Sequence, residues 1–433
     1  MKKIKINLKE FLETILPHPK LFEILTLAQN ISKKRKEFLY FAGGVVRDYL
    51  LKKIYKKKVS KAKDIDLVLQ GDLKSFLKEI LKELKGEILF ESQFLTYKVK
   101  INLNEKDFLI DFITARREIY EDISKLPIVF PSNFRDDILR RDFTINALII
   151  GLSPPYEGIL IDLVDGINDL ERGLIKPLHL NSFIDDPTRI FRGIRYKVRF
   201  GFNFSEEFFL ALKRCFEKEA LKRLSGTRLA NELKLYLNKE PEKNLKTLLI
   251  TTLELKIFEN SGIKTDKNIL NSLVSLLKDL KEELTERERE KFFLLGLVNP
   301  EFVDGFYRLG FLESEIKELM KYVELIKKAL PNWEILSLWE KIKIFEKIPP
   351  TYLLVLSLHF PSTKKEVIKF LKDYRKVRPE LTGEELKELG IKEGKEIGKI
   401  LELLRKEKIE GKIRNREDEK NLVIRFLLNK SET

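Results

Sequence analysis

Gly43-Gly44-Val45-Val46-Arg47-Asp48, followed by Asp64-Ile65-Asp66, is the stretch whose reading decides the fold. Phe38 to Ala42 predicts a strand, and Val45 to Leu51 predicts the opening of a helix. The two glycines fall at the turn between them. Glycine lets the backbone approach a phosphate without interference from a Cβ, and free N–H groups at a helix start attract anions. Asp64 and Asp66 lie two apart and run into Leu67-Val68-Leu69. Residues two apart on a strand face the same way, so both carboxylates reach one spot. Like charges that close call for a cation, and hard carboxylate oxygens suit Mg²⁺. The expectation is a phosphate-handling site, with Asp64 and Asp66 as metal ligands and Gly43, Gly44 and Arg47 on the phosphates.

Working outward, residues 1 to about 36 read as helical and end in Lys33-Lys34-Arg35-Lys36. Residues 37 to 115 alternate strand and helix signals, with strands expected at Ile65–Leu69, Glu87–Phe90, Thr96–Ile101 and Phe108–Ala115, and a helix at Leu73–Lys85. Residues 116 to 138 hold Pro127 and Pro131 and little periodicity, which predicts a long loop or hinge. Helical character returns at Arg140–Leu152, a short strand is expected at Ile159–Leu163, and from about 182 onward the chain reads as nearly all helix. The fold class is therefore α+β, a small mixed-sheet head followed by an all-α remainder. The expected divisions are a head at 1–152 with a helical extension, then 153–240, a helical body at 241–345 and a helical tail at 346–433.

Three further groups carry chemistry. Asp111 stands in the apolar strand Leu109-Ile110-Asp111-Phe112-Ile113, where a carboxylate is costly unless ligated or paired. It is the candidate third carboxylate beside the Asp-x-Asp strand, as base or metal ligand. Arg140-Arg141-Asp142-Phe143-Thr144-Ile145-Asn146-Ala147 places Phe143, Ala147 and Leu148 on an expected buried helical stripe and Arg141, Asp142 and Asn146 toward a nucleotide. Asp185-Asp186-Pro187-Thr188-Arg189 opens another helix, since proline suits a first turn. On it Asp186, Arg189 and Arg192 are expected together on the polar face, where carboxylate and guanidinium can read a base edge. In the tail, the N–H groups near Gly394 with Lys395 and Lys399 are candidates for holding an RNA phosphate. The histidines, His18, His179 and His359, are scattered and form no signature.

Composition narrows the class. The chain has 433 residues, enough for several domains, and 43% are hydrophobic. The lone Cys215 excludes a disulfide framework and a cysteine-rich zinc site. No run approaches ~18 apolar residues, and the first residues lack a signal peptide's apolar core, so no membrane span and a cytoplasmic location are expected. The net charge of +15 points to a polyanionic partner, most often nucleic acid; solubility is the other reading of the same lysines.

Taken in order, Gly43–Asp48, Asp64–Asp66, Arg140–Ala147, Asp162–Asp169, Phe183–Arg195 and Arg228-Leu229-Ala230-Asn231-Glu232 resemble the motifs of the class II tRNA nucleotidyltransferases, the CCA-adding enzymes and their bacterial poly(A) polymerase relatives. The resemblance implies a polymerase-beta-like head, a nucleotide-selecting neck, and a body and tail that hold tRNA. It implies Mg²⁺ on Asp64 and Asp66, and Asp186 with Arg189 as a protein template for CTP and ATP. The pair Asp185-Asp186 stands where the family usually has Glu-Asp. The stretch Lys52–Lys63 is longer and richer in lysine than usual. The loop from Arg117 to Leu139 resembles the variant shared by some full CCA-adding, partial-adding and poly(A) enzymes, and is one place where the enzymes that add only CC or only A differ, so the product is left open among these. A non-catalytic RNA-binding protein is the reading from another class, and an idle acidic pair that repels RNA speaks against it.

Overall fold

The structure, a computed structural model, describes residues 1–55, 65–103, 106–392 and 394–431. It divides into two compact units, residues 1–228 and 229–433.

The first unit is built on one mixed sheet. Its strands are β1 (Lys2–Lys5), β2 (Phe38–Ala42), β3 (Asp66–Gln70), β4 (Gly86–Glu91), β5 (Thr96–Leu103), β6 (Lys106–Thr114), β9 (Leu148–Gly151) and β10 (Ile159–Asp162). They lie in the order β1-β10-β9-β2-β3-β6-β5-β4. Phe38-Leu39-Tyr40-Phe41-Ala42 is apolar throughout because β2 is central and covered on both faces. In β5 the alternation of Tyr97, Val99, Ile101 and Leu103 with polar residues puts one face in the core and the other toward solvent. Helix α4 (Leu73–Glu83) covers the buried side through Phe76, whose ring lies 6.3 Å from that of Phe112. Helices α1 (Leu8–Ile15), α2 (Leu21–Arg35) and α3 (Gly44–Tyr55) complete this layer.

Three expectations are corrected. The amino terminus begins with strand β1, antiparallel to β10, before the helices start. Lysines with one interposed isoleucine suit an edge strand as well as a helix. Residues 116–138 are not an unstructured loop. They form the hairpin β7 (Arg116–Ile119) with β8 (Ile128–Pro131), then helix α5 (Phe134–Leu139), whose first turn is capped by the Asn133 side chain. Residues 140–152 are not a helix. A single 3₁₀ turn at Thr144–Asn146 leads into β9, a fully buried strand between β10 and β2. A strand buried on both faces has no period of two, so its apolar stripe imitated a helix. The strands expected elsewhere in residues 37–115 and at Ile159–Leu163 are found within one or two residues of their expected bounds.

The remaining helices of this unit include α6 (Gly166–Glu171), α7 (Ser182–Asp185) and α8 (Thr188–Phe200). The second unit is helical throughout its described residues. In its last part Leu381, Leu386, Ile391, Ile400, Leu404, Ile413 and Val423 share one small core. Glu419 is buried beside it, accepting from the Glu380 and Leu381 amides and pairing with Lys408 at 3.1 Å. No described helix is long and apolar enough to cross a membrane.

Candidate active site

The turn after β2 forms as expected. Gly43 has φ +73°, a left-handed conformation that favours glycine, and α3 starts at Gly44. A Cβ at Gly43 would stand 3.0 Å from the Arg141 guanidinium, so this glycine also makes room for that arginine. Asp66 opens β3, and Asp64 lies outside the described residues. Strand β6 runs parallel to β3 with Asp111 directly beside Asp66 in register. Register partners on adjacent strands point to the same face, so these two carboxylates are neighbours, as the sequence predicted for Asp111. The Asp111 Oδ1 atom is buried and makes no hydrogen bond. A buried carboxylate oxygen without a hydrogen bond, beside a second carboxylate, fits a divalent cation. Among the described residues no cluster of three or more His, Cys, Asp or Glu forms a metal site.

A cleft opens at Ala42, Gly43, Gly44 and Asp66 and is walled by Arg116, Tyr120, Arg140, Arg141, Asp142, Asn146, Asp186, Arg189, Arg192, Tyr196 and Arg228. Six arginines stand against the carboxylates of Asp66, Glu118, Asp142 and Asp186, so the cavity favours an anion. The arginines are held by ion pairs deeper in the wall. Asp137 is fully buried and pairs with Arg140 at 2.6 Å and Arg141 at 2.8 Å. Burial disfavours its charge, but Arg141 and Arg140 outweigh this and hold its carboxyl down to about 2. Glu118 links Arg140 at 3.0 Å and Arg116 at 3.1 Å. The Arg141 Nε is buried and without a hydrogen bond, a donor that a phosphate oxygen beside the glycine turn would satisfy.

Asp142 is buried and accepts from Arg192 at 2.7 Å and from the Asn146 amide at 2.9 Å. Burial opposes its ionisation, while Arg192, then Asn146 and Arg189, keep its pKa below the usual carboxylate range. Arg47 does not line the cleft. Its side chain is buried behind it, donating to Asn146 Oδ1 at 2.6 Å and stacking 4.7 Å from the Phe200 ring. It braces Asn146 rather than pointing into the space where phosphates were expected.

Asp186 and Arg189 meet at the cleft as predicted, but not on an exposed helix face. Arg189 is 5% exposed and donates to Ser182 Oγ at 2.8 Å, the Arg140 carbonyl at 2.9 Å and the Tyr120 hydroxyl at 3.2 Å. Asp186 precedes α8, and its Oδ1 accepts from Thr188 and, at 2.7 Å, from Arg228. The face expected to be polar is therefore the wall of a pocket. The tail candidates lie in the second unit. Gly394 has φ +87° and sits immediately before the helix Lys395–Ile409, which carries Lys395 and Lys399.

The poly A polymerase head domain matches residues 39–176. The A-adding tRNA nucleotidyltransferase of Aquifex aeolicus is 31% identical over 85% of this chain, which spans 44% of that protein. The enzyme of the same name from Halalkalibacterium halodurans is 28% identical over 95% of this chain and 94% of its own length. The Thermotoga maritima CCA-adding enzyme complexed with tRNA superposes with a TM-score of 0.75 at 25% identity, covering 99% of this chain and 100% of that one. The chain belongs to the class II tRNA nucleotidyltransferases. The relatives it matches are named as A-adding or CCA-adding enzymes, and CCA-adding enzymes have been solved with tRNA, ATP and CTP.

The cleft contains residues that sequence reasoning did not select. Arg228 was noted only as part of a motif, and its partner Asp186 is what makes it a site residue. Arg116, Glu118 and Tyr120 come from the segment expected to be a loop, so nothing placed them. Burial pushes the Tyr120 hydroxyl above its ordinary value, so it is a protonated hydrogen-bonding group at neutral pH. Asp137 had one available signal, its spacing of three and four from Arg140 and Arg141.

Proposed function

We propose that this chain adds adenosine from ATP to the 3′ end of tRNA, and that the cleft beside Asp66 is where the transfer occurs. The observation that carries the site is the convergence of the Gly43 turn, the Asp66–Asp111 pair and the arginine-walled pocket. The choice of A rests on the A-adding relatives, one of which is matched over 94% of its length. CTP use, as in a CCA-adding enzyme, is the second reading, favoured by the CCA-adding structures that cover 99% of this chain.

Asp64, Asp66 and Asp111 would hold Mg²⁺. The ions, when bound, activate the attacking hydroxyl and steady the leaving pyrophosphate. Gly43 and Gly44 let the triphosphate approach the backbone, and Arg141 with Arg192 donates to its oxygens. Asp142, Asn146 and Arg47 hold those donors in place. Asp186 and Arg189 present an acceptor beside a donor to the base, a pattern that matches the amine and ring nitrogen of adenine and of cytosine. The buried wall excludes water that would otherwise compete for the phosphorus. The tail residues Gly394, Lys395 and Lys399 would hold the tRNA backbone. The divisions at 152, 240 and 345 would separate head, neck, body and tail.

The test is product sequencing with tRNA ending in CC and tRNA lacking CCA, each given ATP alone, CTP alone or both. A-addition gives one A on the first substrate and nothing on the second. C incorporation would establish the CCA or CC reading, and long A tails from ATP on mixed RNA would establish a poly(A) polymerase.

A further inference from the structure

Strand β5 is antiparallel to β6, and Lys98 is the cross-strand partner of Asp111. The Lys98 ammonium lies 3.3 Å from Asp111 Oδ1, within ion-pair range yet outside hydrogen-bonding geometry, since that oxygen has no hydrogen bond. Lys98 is 40% exposed and its pairing is of the weak surface kind. The next lysine on the same face, Lys100, is held otherwise, by Asp107 at 3.1 Å and Glu87 at 3.7 Å. Lys98 thus places one loosely held cation at the carboxylate pair.

Its position relative to the cleft matters. The strand order is β2-β3-β6-β5, so the Gly43 turn lies on one side of Asp66, and Asp111 with Lys98 lies on the other. Asp66 lines the nucleotide cleft, together with Gly43 and Gly44. In an in-line transfer the attacking and leaving oxygens occupy opposite sides of the phosphorus. If the triphosphate lies on the glycine side, the RNA end approaches from the side of Asp111 and Lys98. This sheet face is open there, with Leu109 half-exposed on the strand next to Lys98.

We propose that Lys98 is a positioning residue with two alternating partners: it holds the place of the divalent cation at Asp111 in the free protein, and on metal binding its ammonium moves to a phosphate of the RNA 3′ end. This deepens the reading of the cleft as the transfer site and rests on it. The exchange balances charge at each stage. The carboxylate pair keeps a counter-ion before the metal arrives, and the RNA phosphate receives one when the metal has replaced it.

The test compares wild type with Lys98→Met, Lys98→Gln and the control Lys100→Met, each confirmed as folded by circular dichroism. Mn²⁺ binding is titrated by electron paramagnetic resonance without nucleotide or RNA. Dissociation constants for tRNA are then measured in Mn²⁺ over a series of salt concentrations. Removing the competing ammonium should tighten Mn²⁺ binding about threefold, the size expected for a weak ion pair. The same variants should bind tRNA more weakly, with the slope of log K against log salt smaller by about one, while Lys100→Met changes neither. Unchanged or weaker Mn²⁺ binding in both Lys98 variants overturns the proposal, as does an unchanged tRNA salt slope. Neither measurement needs turnover. A wild-type protein that transfers no nucleotide would therefore overturn the functional reading alone, and a flat Mn²⁺ titration in an active protein would overturn this proposal alone.

Discussion

Asp137 has no solvent exposure, touches no expected substrate, and decides where two cleft arginines stand. Removing its charge leaves Arg140 and Arg141 without their shared partner, which costs about 3–5 kcal/mol in buried pairs. Asp137→Asn should therefore lower stability by that order, measured by urea unfolding near neutral pH, and weaken ATP binding. The pH dependence follows from the sign of the shift. The folded carboxyl titrates at about 2, below its unfolded value, so its stabilisation is complete above about pH 4 and is lost as pH falls toward 2. Asp137→Asn should flatten that part of the acid limb; an unchanged limb would place the acid sensitivity elsewhere.

Base selection belongs to the same scale. Leaving a buried polar group unpaired costs about 1–3 kcal/mol, so guanine and uracil, which reverse the donor–acceptor order, should be rejected by that amount per group. Asp186→Ala should relax discrimination against GTP and UTP in kcat/KM. Arg189→Ala should do the same but also destabilise, because Arg189 ties Ser182, Tyr120 and the Arg140 carbonyl together. Discrimination at the wild-type level in a folded Asp186→Ala would assign selection to other residues. The residues that face the cleft were largely legible in the sequence because charged groups in apolar strings are costly without a purpose. Arg47 was picked out but for the phosphates rather than for bracing Asn146, and Asp137 was not picked out at all, since what a buried polar contact does depends on where its partners come together.

At the scale of elements, the segment Asp162–Asp169 acquires a physical account. Asp162 is buried and its carboxylate accepts from the amides of Val164, Gly166 and Ile167, fixing the start of α6. A Cβ at Gly166 would stand 2.2 Å from the Thr144 carbonyl, so α6 packs directly on the 3₁₀ turn that carries Asn146. Gly166→Ala must push that turn away. It should cost about 1–3 kcal/mol of stability and raise KM for ATP although residue 166 meets no nucleotide. Thermal melting and steady-state kinetics on one preparation check both; an unchanged KM would mean the turn's position is immaterial. The sequence predicted β2, β5 and β6 well because their alternation or apolar runs are bounded by clear breaks. It misread β9, which is set by pairing with β10 and β2 rather than by local periodicity, and the β7–β8 hairpin, a two-stranded sheet of its own whose Pro127 and Pro131 read as loop signals.

At the scale of the molecule, the charge of +15 predicts RNA binding that weakens steeply with salt. Replacing Lys395 and Lys399 together by glutamine should lower tRNA affinity and reduce the salt slope by about two, with ATP affinity unchanged. A salt slope equal to wild type would remove these lysines from the RNA contact.

The most direct measurement is single-turnover transfer of labelled AMP to tRNA ending in CC, with Mg²⁺, by wild type and Asp66→Ala, with tRNA affinity determined on the same samples. Loss of a metal-holding carboxylate at the reacting phosphorus should slow transfer by ~10³-fold or more and leave tRNA affinity within about twofold. Near-normal transfer by Asp66→Ala would contradict the assignment of the transfer centre to the Asp66–Asp111 pair.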